Sequence, residues 1–342
     1  MTVKQLSWVS LCAWAGLGCA SVAAPPLSAA KHADEVVFIG MCDASGAVPL
    51  SAHTFAVADD EDNILRVYDA DRGGPALYER DISAGIGISA RPPKHPGQPP
   101  KPPAEADIEA ATRHGELALW LTSHSRSSKG KLKPERLRFF ATSLPVDGRE
   151  LRVVGQPYSG LIDDLSADPR YAAFALQAAA ERAPKTEQGL NIEGMTERAE
   201  GGVLIGLRAP IPGGRALLFA LENPERVIAG AAPSFGAPIL LDLSGLGVRS
   251  LSRWHGRYLI AAGDWADGRA SRLFSWDGSS AHAQPLALDI ADLNPEGFFT
   301  PEEREAIMVL SDDGTETKAG VRCKDRSNRN EKHFRGRWIH PR

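Results

Sequence analysis

One short pattern recurs along this chain and limits what the chain can fold into. Asn191-Ile192-Glu193-Gly194 has near copies in Asp107-Ile108-Glu109-Ala110 and Asn294-Pro295-Glu296-Gly297. Each copy leads into a pair of strand-length runs. An acid or amide, any residue, Glu and a small residue means little once, but three copies in step with strands mark a structural repeat. Around them, runs bounded by Gly, Pro, Asp or Asn follow one another with almost no helical periodicity.

The runs fall into sets of four. The first takes in residues 44–50, 54–58, 64–68 and 76–80, and the second 108–112, 117–122, 137–142 and 151–154. The third covers 192–196, 203–207, 216–221 and 239–243, and the fourth 248–254, 258–262, 273–276 and 285–288. A fifth set has 295–299, 307–310 and, after an irregular stretch, 334–339, while residues 36–39 stand alone ahead of the first. Four strands per unit with no helices between most units is the all-β pattern of a β-propeller, here of five blades, or six if the tail forms its own. A β-sandwich or two small β domains would use the same strands, but the unit count favours the propeller. Closing the ring with residues 36–39 would complete the fifth set.

Two segments interrupt the repeat. Residues 91–105 are Pro-rich and are expected as an exposed extended loop. Residues 168–183 are expected as an inserted helix, with Asp168 as cap, Pro169 in the first turn and an Ala-rich amphipathic body from Tyr171 to Arg182. Together, residues 31–342 are expected to form a single propeller domain.

The start of the chain reads differently. Residues 1–30 carry one charge, Lys4, and an apolar run from Leu6 to Ala24 followed by small-residue triplets and Pro25-Pro26. This resembles a signal peptide more than an anchor, and a lipoprotein reading through Cys19 lacks an aliphatic residue at Gly16. Export to the periplasm or the medium is expected, with no membrane attachment after cleavage. Removing Lys4 moves the formal net charge from -4 to about -5, which excludes a basic nucleic-acid binder. The basic tail from Arg322 to Arg342 fits solvated turns. Cys42 and Cys323 then remain as a disulfide candidate, whose loop would restrict the unfolded chain by about 4 to 5 kcal/mol.

In a propeller the innermost strand of a blade and its neighbour run antiparallel, so the start of one and the end of the other share one rim of the channel. Asp43, Glu109, Glu193 and Glu296 fall at inner-strand starts, and Asp59, Asp60, His124, Arg208, Asp264, Asp312 and Asp313 at second-strand ends. Crowded carboxylates must hold cations, pair with Arg or His, or keep protons. An oxygen-rich set of this kind suits Ca²⁺ or Mg²⁺, with Glu109, Glu193, Glu296 and Asp312 as candidate metal ligands. Asp43, Asp59, Asp60, Asp264 and Asp313 are candidate ligand-binding residues. His124 would serve as a proton carrier, Arg208 as an anion clamp and Glu193 as a catalytic carboxylate. Each Glu could equally bond the next blade and fasten the ring. No zinc spacing, P-loop, GxSxG elbow or dinucleotide fingerprint occurs, so no organic cofactor is expected.

Several blocks are similar to those of the bacterial domain-of-unknown-function family 3616 (DUF3616). They are Asp43-Ala44-Ser45-Gly46, Ala58 to Asn63 with Leu65-Arg66-Val67-Tyr68, Ser123-His124-Ser125-Arg126, Gly189 to Gly194, Gly206-Leu207-Arg208 and Ser311-Asp312-Asp313-Gly314. The resemblance implies a propeller similar in style to esterase-like phytase-type and gluconolactonase-type proteins, and implies no particular activity. Three functions compete: a protein binding a small molecule, metal or protein partner at the channel mouth, a metal-dependent hydrolase of a phosphoester, lactone or ester, and a structural envelope module. A monomer is expected in each case.

Overall fold

A computed structural model describes residues 34–144, 150–266, 271–288 and 290–340. The leader expected over residues 1–30 lies outside the described residues. The described remainder is an all-β propeller of five blades, each built on four antiparallel strands ordered outward from the channel, with the two-residue strand Gly74–Pro75 added in parallel at the outer edge of the fifth. Blade 1 runs Ala44–Pro49, Thr54–Asp59, Ile64–Asp69, Tyr78–Asp81, and blade 2 runs Ile108–His114, Leu117–Thr122, Phe139–Ser143, Val153–Tyr158. Blade 3 runs Asn191–Glu197, Val203–Ala209, Ala216–Leu221, Ile239–Leu241, and blade 4 runs Gly247–Trp254, Arg257–Gly263, Arg272–Trp276, Gln284–Leu286.

Blade 5 is closed by the two ends of the fold. Pro295–Phe299, Ile307–Ser311 and His333–Ile339 are joined by Glu35–Ile39, which pairs antiparallel with His333–Ile339 and puts Phe38 opposite Phe334. The tail is therefore the third strand of blade 5, and the ring has five blades rather than six. Phe38, Phe55, Tyr68, Phe299 and Phe334 stack or meet edge to face under this seam. The Cys42–Cys323 disulfide, with Cα atoms 5.9 Å apart, ties the entry of blade 1 to the excursion inside blade 5.

The two-residue period of the strands builds the rest of the core. In Leu117–Thr122, Ala118 and Trp120 pack with blade 1, whereas Leu119 and Leu121 pack with blade 3. In Val203–Ala209, Val203, Ile205 and Leu207 face the cluster shared with blade 2 and Leu204 faces blade 4. Each blade thus has two apolar faces, because it lies between two others.

The insertion is helical but not one helix. Leu161–Ala167 is a short α-helix, Pro169–Phe174 is 3₁₀, and Leu176–Ala180 is a second short α-helix after Ala175 turns left-handed at φ 48°. Asp168 caps the middle piece, accepting from Arg170 N–H. Tyr171 and Leu176 anchor the insertion under blades 2 and 3, and that packing holds the broken course against the Ala-rich helix propensity. The Pro-rich loop is mostly exposed and is pinned near its ends by the Arg91–Lys101 bridge, by Arg91 Nε donating to the Pro102 carbonyl and by Asn63 Nδ2 donating to the carbonyl of buried Ala104. Among the described residues no helix is long and apolar enough to cross a membrane.

Candidate functional site

The recurrent pattern proves to be a β-bulge. In blades 2, 3, 4 and 5 the inner strand slips register by one residue against its neighbour, and the extra residue is Glu109, Glu193, Arg249 and Glu296 respectively. In blade 1 the slip falls across Ser45 and Gly46. A bulge leaves one residue outside the ladder and re-aims its side chain. Here Glu109, Glu193, Arg249 and Glu296 all line one cavity of about 890 Å³ at the channel mouth. The small residue that follows each Glu is there for room rather than for unusual backbone angles. A Cβ on Gly297 would sit 2.2 Å from the Ser45 carbonyl oxygen, and one on Gly194 2.5 Å from a Val248 methyl.

The expected gathering of acids is largely present. Asp43, Asp60, Glu109, Glu193, Arg208, Glu296 and Asp312 line the same cavity. Four others do not line it. Asp59 sits behind Asp60, buried, accepting from Glu61 N–H at 2.9 Å. Asp313 is buried and clamped by Arg335, whose Nη2 and Nε donate to it at 2.8 and 2.9 Å. Asp264 offers its carbonyl to Arg208 Nε at 2.9 Å and turns its side chain to Ala266 N–H. His124 faces a separate cavity of about 290 Å³ against the helical insertion. Its backbone is left-handed (φ 53°), which swings the ring away from the channel, and its Nδ1 lies 2.9 Å from the Thr122 carbonyl. Burial pushes its pKa down to about 4, so the ring is neutral.

This placement removes His124 as a proton carrier for the channel mouth. His124→Asn, which accepts the left-handed backbone, should leave any cation-induced rise in melting temperature unchanged. A lost rise in that variant would return His124 to the site.

Charge divides the cavity into two halves. On the side of blades 3 to 5, Arg208 Nη1 donates to Glu193 at 2.8 Å and Arg249 Nε lies 3.6 Å from the other Glu193 oxygen. Arg249 Nη2 pairs with Glu296 and Nη1 reaches the Asn294 amide oxygen at 3.3 Å. This Arg–Glu–Arg–Glu ladder is nearly buried and joins three inner strands. It is the fastening role that the Glu residues could also have had, and it occupies Glu193 and Glu296.

On the side of blades 1, 2 and 5 the carboxylates face one another. Burial and a hydrogen bond to the Asp312 carboxylate raise Asp43 to about 10. Burial and then Asp62 raise Asp59 to about 7. Asp60 is pushed well up by burial, Asp59 and Asp107, and Glu109 by burial, Asp107 and Glu193. Asp107 is raised by burial although Arg136 Nη1 donates to it at 2.7 Å. Carboxyl oxygens of Asp43, Asp59 and Asp60 come within 4.8 Å of one another, as do those of Asp60, Asp107 and Glu109. Two oxygens on opposite sides of one Ca²⁺ stand about 4.6 to 5.2 Å apart, so either set suits a hard cation.

The sequence left four participants unread: Arg249, Asp107, Arg136 and Asn191. Gly247-Val248-Arg249-Ser250 is the same bulge with the charge reversed, so a search for Glu passes over it. Asp107 and Asn191 occupy the first position of the recurrent pattern. Asp43 belongs with them, since Ser45 holds the bulge of blade 1.

Residues 149–296 match the family "Protein of unknown function (DUF3616)". The DUF3616 stretch contains blades 3 and 4 and ends at Glu296, so it holds the whole Arg–Glu ladder. The blocks around residues 43–68, 123–126 and 311–314 lie outside it. No curated protein matches the sequence. Solved structures of similar fold include Myxococcus xanthus glutaminyl cyclase (11% identity, 89% of this chain and 94% of that one, TM-score 0.45). The PQQ-bound aldose sugar dehydrogenase of Streptomyces coelicolor is another (12% identity, 91% of this chain and 100% of that one, TM-score 0.43). These likenesses concern the propeller alone.

Proposed function

We propose that this protein binds a divalent cation of the Ca²⁺ or Mg²⁺ class at its channel mouth, through Asp43, Asp60, Glu109 and Asp312. The bound ion is where a small-molecule ligand attaches. The observation that carries the reading is the division of the cavity. Arginines neutralise Glu193 and Glu296, while the acids of blades 1, 2 and 5 confront one another. Several carboxylates in one buried space stay ionised only beside a positive charge. Oxygen donors without nitrogen or sulfur select a hard cation. No aromatic side chain among the described residues lines the cavity, which counts against an organic ammonium held by ring faces. The Cys42–Cys323 bridge supports an oxidising, extracytoplasmic setting, periplasmic or secreted. Hydrolase chemistry here would need a base other than His124, so the binding role is the better supported.

Thermal melts with Ca²⁺, Mg²⁺, Mn²⁺ or EDTA test this. A cation present at about a hundred times its Kd adds about 2.7 kcal/mol, and the melting temperature rises by several degrees. The rise should shrink in Glu109→Gln, and putrescine in place of the metal should give none. No rise with any metal ends the proposal. The pH dependence has a defined sign. Folded Asp43 and Asp59 keep protons up to about 10 and about 7, whereas the unfolded chain releases them near 3.8. In EDTA, stability therefore falls as pH climbs from about 4 to about 10, most steeply up to about 7 where both groups contribute, and saturating cation flattens that fall because it replaces the protons.

A further inference from the structure

Resting on the cation-binding reading, we infer that the mouth holds two divalent cations, with the Asp60 carboxylate bridging them. The two acid triads are distinct in composition and share one member. Asp43 and Asp59, both from blade 1, make one set with Asp60, and Asp107 and Glu109, at the start of the inner strand of blade 2, make the other. One Asp60 oxygen, Oδ1, is shielded from solvent and takes no hydrogen bond.

A second observation points to a ligand beside the acids. Asn191 is 7% exposed and lines the same cavity. Its Nδ2 donates to Glu193 Oε1 at 2.6 Å, which fixes its orientation, and its amide oxygen then has no donor. A buried carbonyl left without a donor is costly unless something positive meets it. A neutral oxygen beside carboxylates is an ordinary part of a hard-cation shell.

Charge sets the number. Five carboxylates make up the two triads. Arg136 pairs with Asp107 at 2.7 Å, and Lys324 at the rim is held by Glu61 at 3.1 Å. A single divalent ion in either triad leaves the acids of the other still crowded. Two ions would satisfy both triads, with the shared Asp60 offering one carboxylate oxygen to each. The centre would also clasp blade 1 to blade 2 where the Arg–Glu ladder does not reach.

The test loads the metal-free full chain with Mn²⁺ and measures stoichiometry by equilibrium dialysis and coupling by electron paramagnetic resonance. Two ions per chain are expected, with a spin-coupled spectrum. Asp59→Asn and Glu109→Gln should each weaken one site at least about tenfold and leave an isolated six-line signal, whereas Asp60→Asn should weaken both. One ion per chain with an uncoupled spectrum overturns the pair but spares the cation-binding reading. No bound ion overturns that reading itself. If a variant does not fold, the wild-type spectrum alone decides.

Discussion

Arg249→Met lowers the stability of this protein by about 3 to 5 kcal/mol, the cost of removing one partner from a buried ion pair. That corresponds to a melting temperature lower by on the order of 10 °C. Arg249 is 4% exposed and stands between two acids, 3.6 Å from Glu193 Oε2 and paired with Glu296. The substitution keeps the volume, leaves Glu296 in a closed space without its counter-charge and leaves Glu193 with Arg208 alone. The double variant Arg249→Met, Glu296→Gln should recover part of the loss, since it removes one of the stranded charges with the cation. Melts or urea titrations of the two singles and the double give the coupling directly. Additive losses, or a single variant as stable as wild type, would show that the ladder does not fasten the blades.

The second large effect is at the seam. Replacing Cys42 and Cys323 together by Ala costs about 3 to 5 kcal/mol, because the bridge closes a loop of nearly the whole fold, with the cysteines 281 positions apart. Both sulfurs are buried, so the Ala variant also leaves a small void. Urea titration of the oxidised protein, the reduced protein and the double Ala variant checks this. The reduced and Ala forms should shift to lower midpoints together. The bridge also stands one residue from Asp43 on one side and from Lys324 on the other, both cavity residues. Cation binding should therefore weaken in the reduced form, measured below its own lower melting range. Unchanged midpoints would mean that the aromatic seam alone holds the ring.

Much of this architecture is written locally in the chain. A period-two pattern with turn residues at each end specifies the strands, and units of four specify the blades, so the fold is legible without any long-range information. The isolated run at residues 36–39 is informative for the same reason: an unpartnered strand must pair somewhere, and the fifth set lacked one. The site is legible only where the bulge carries Glu. Arg249 holds the equivalent place with opposite charge, and nothing in Gly247-Val248-Arg249-Ser250 alone announces it. His124 shows the opposite failure. Its position in the unit is right for the rim, but one left-handed residue redirects the side chain, and no neighbouring residue type signals that turn. Which acids pair with arginine and which face one another is likewise a matter of blade-to-blade distance.

The strand from the beginning of the fold and the strand from its end lie side by side in blade 5. A chain leaving the ribosome or a translocon can therefore assemble blades 1 to 4 in turn, but it cannot seal the circle until synthesis has passed residue 339. Until then the edges of blade 5 and the aromatic seam stay open to wrong partners. Maturation of this protein should be post-synthetic and slow, and loss of even its last strand should leave an unsealed horseshoe that aggregates or is degraded.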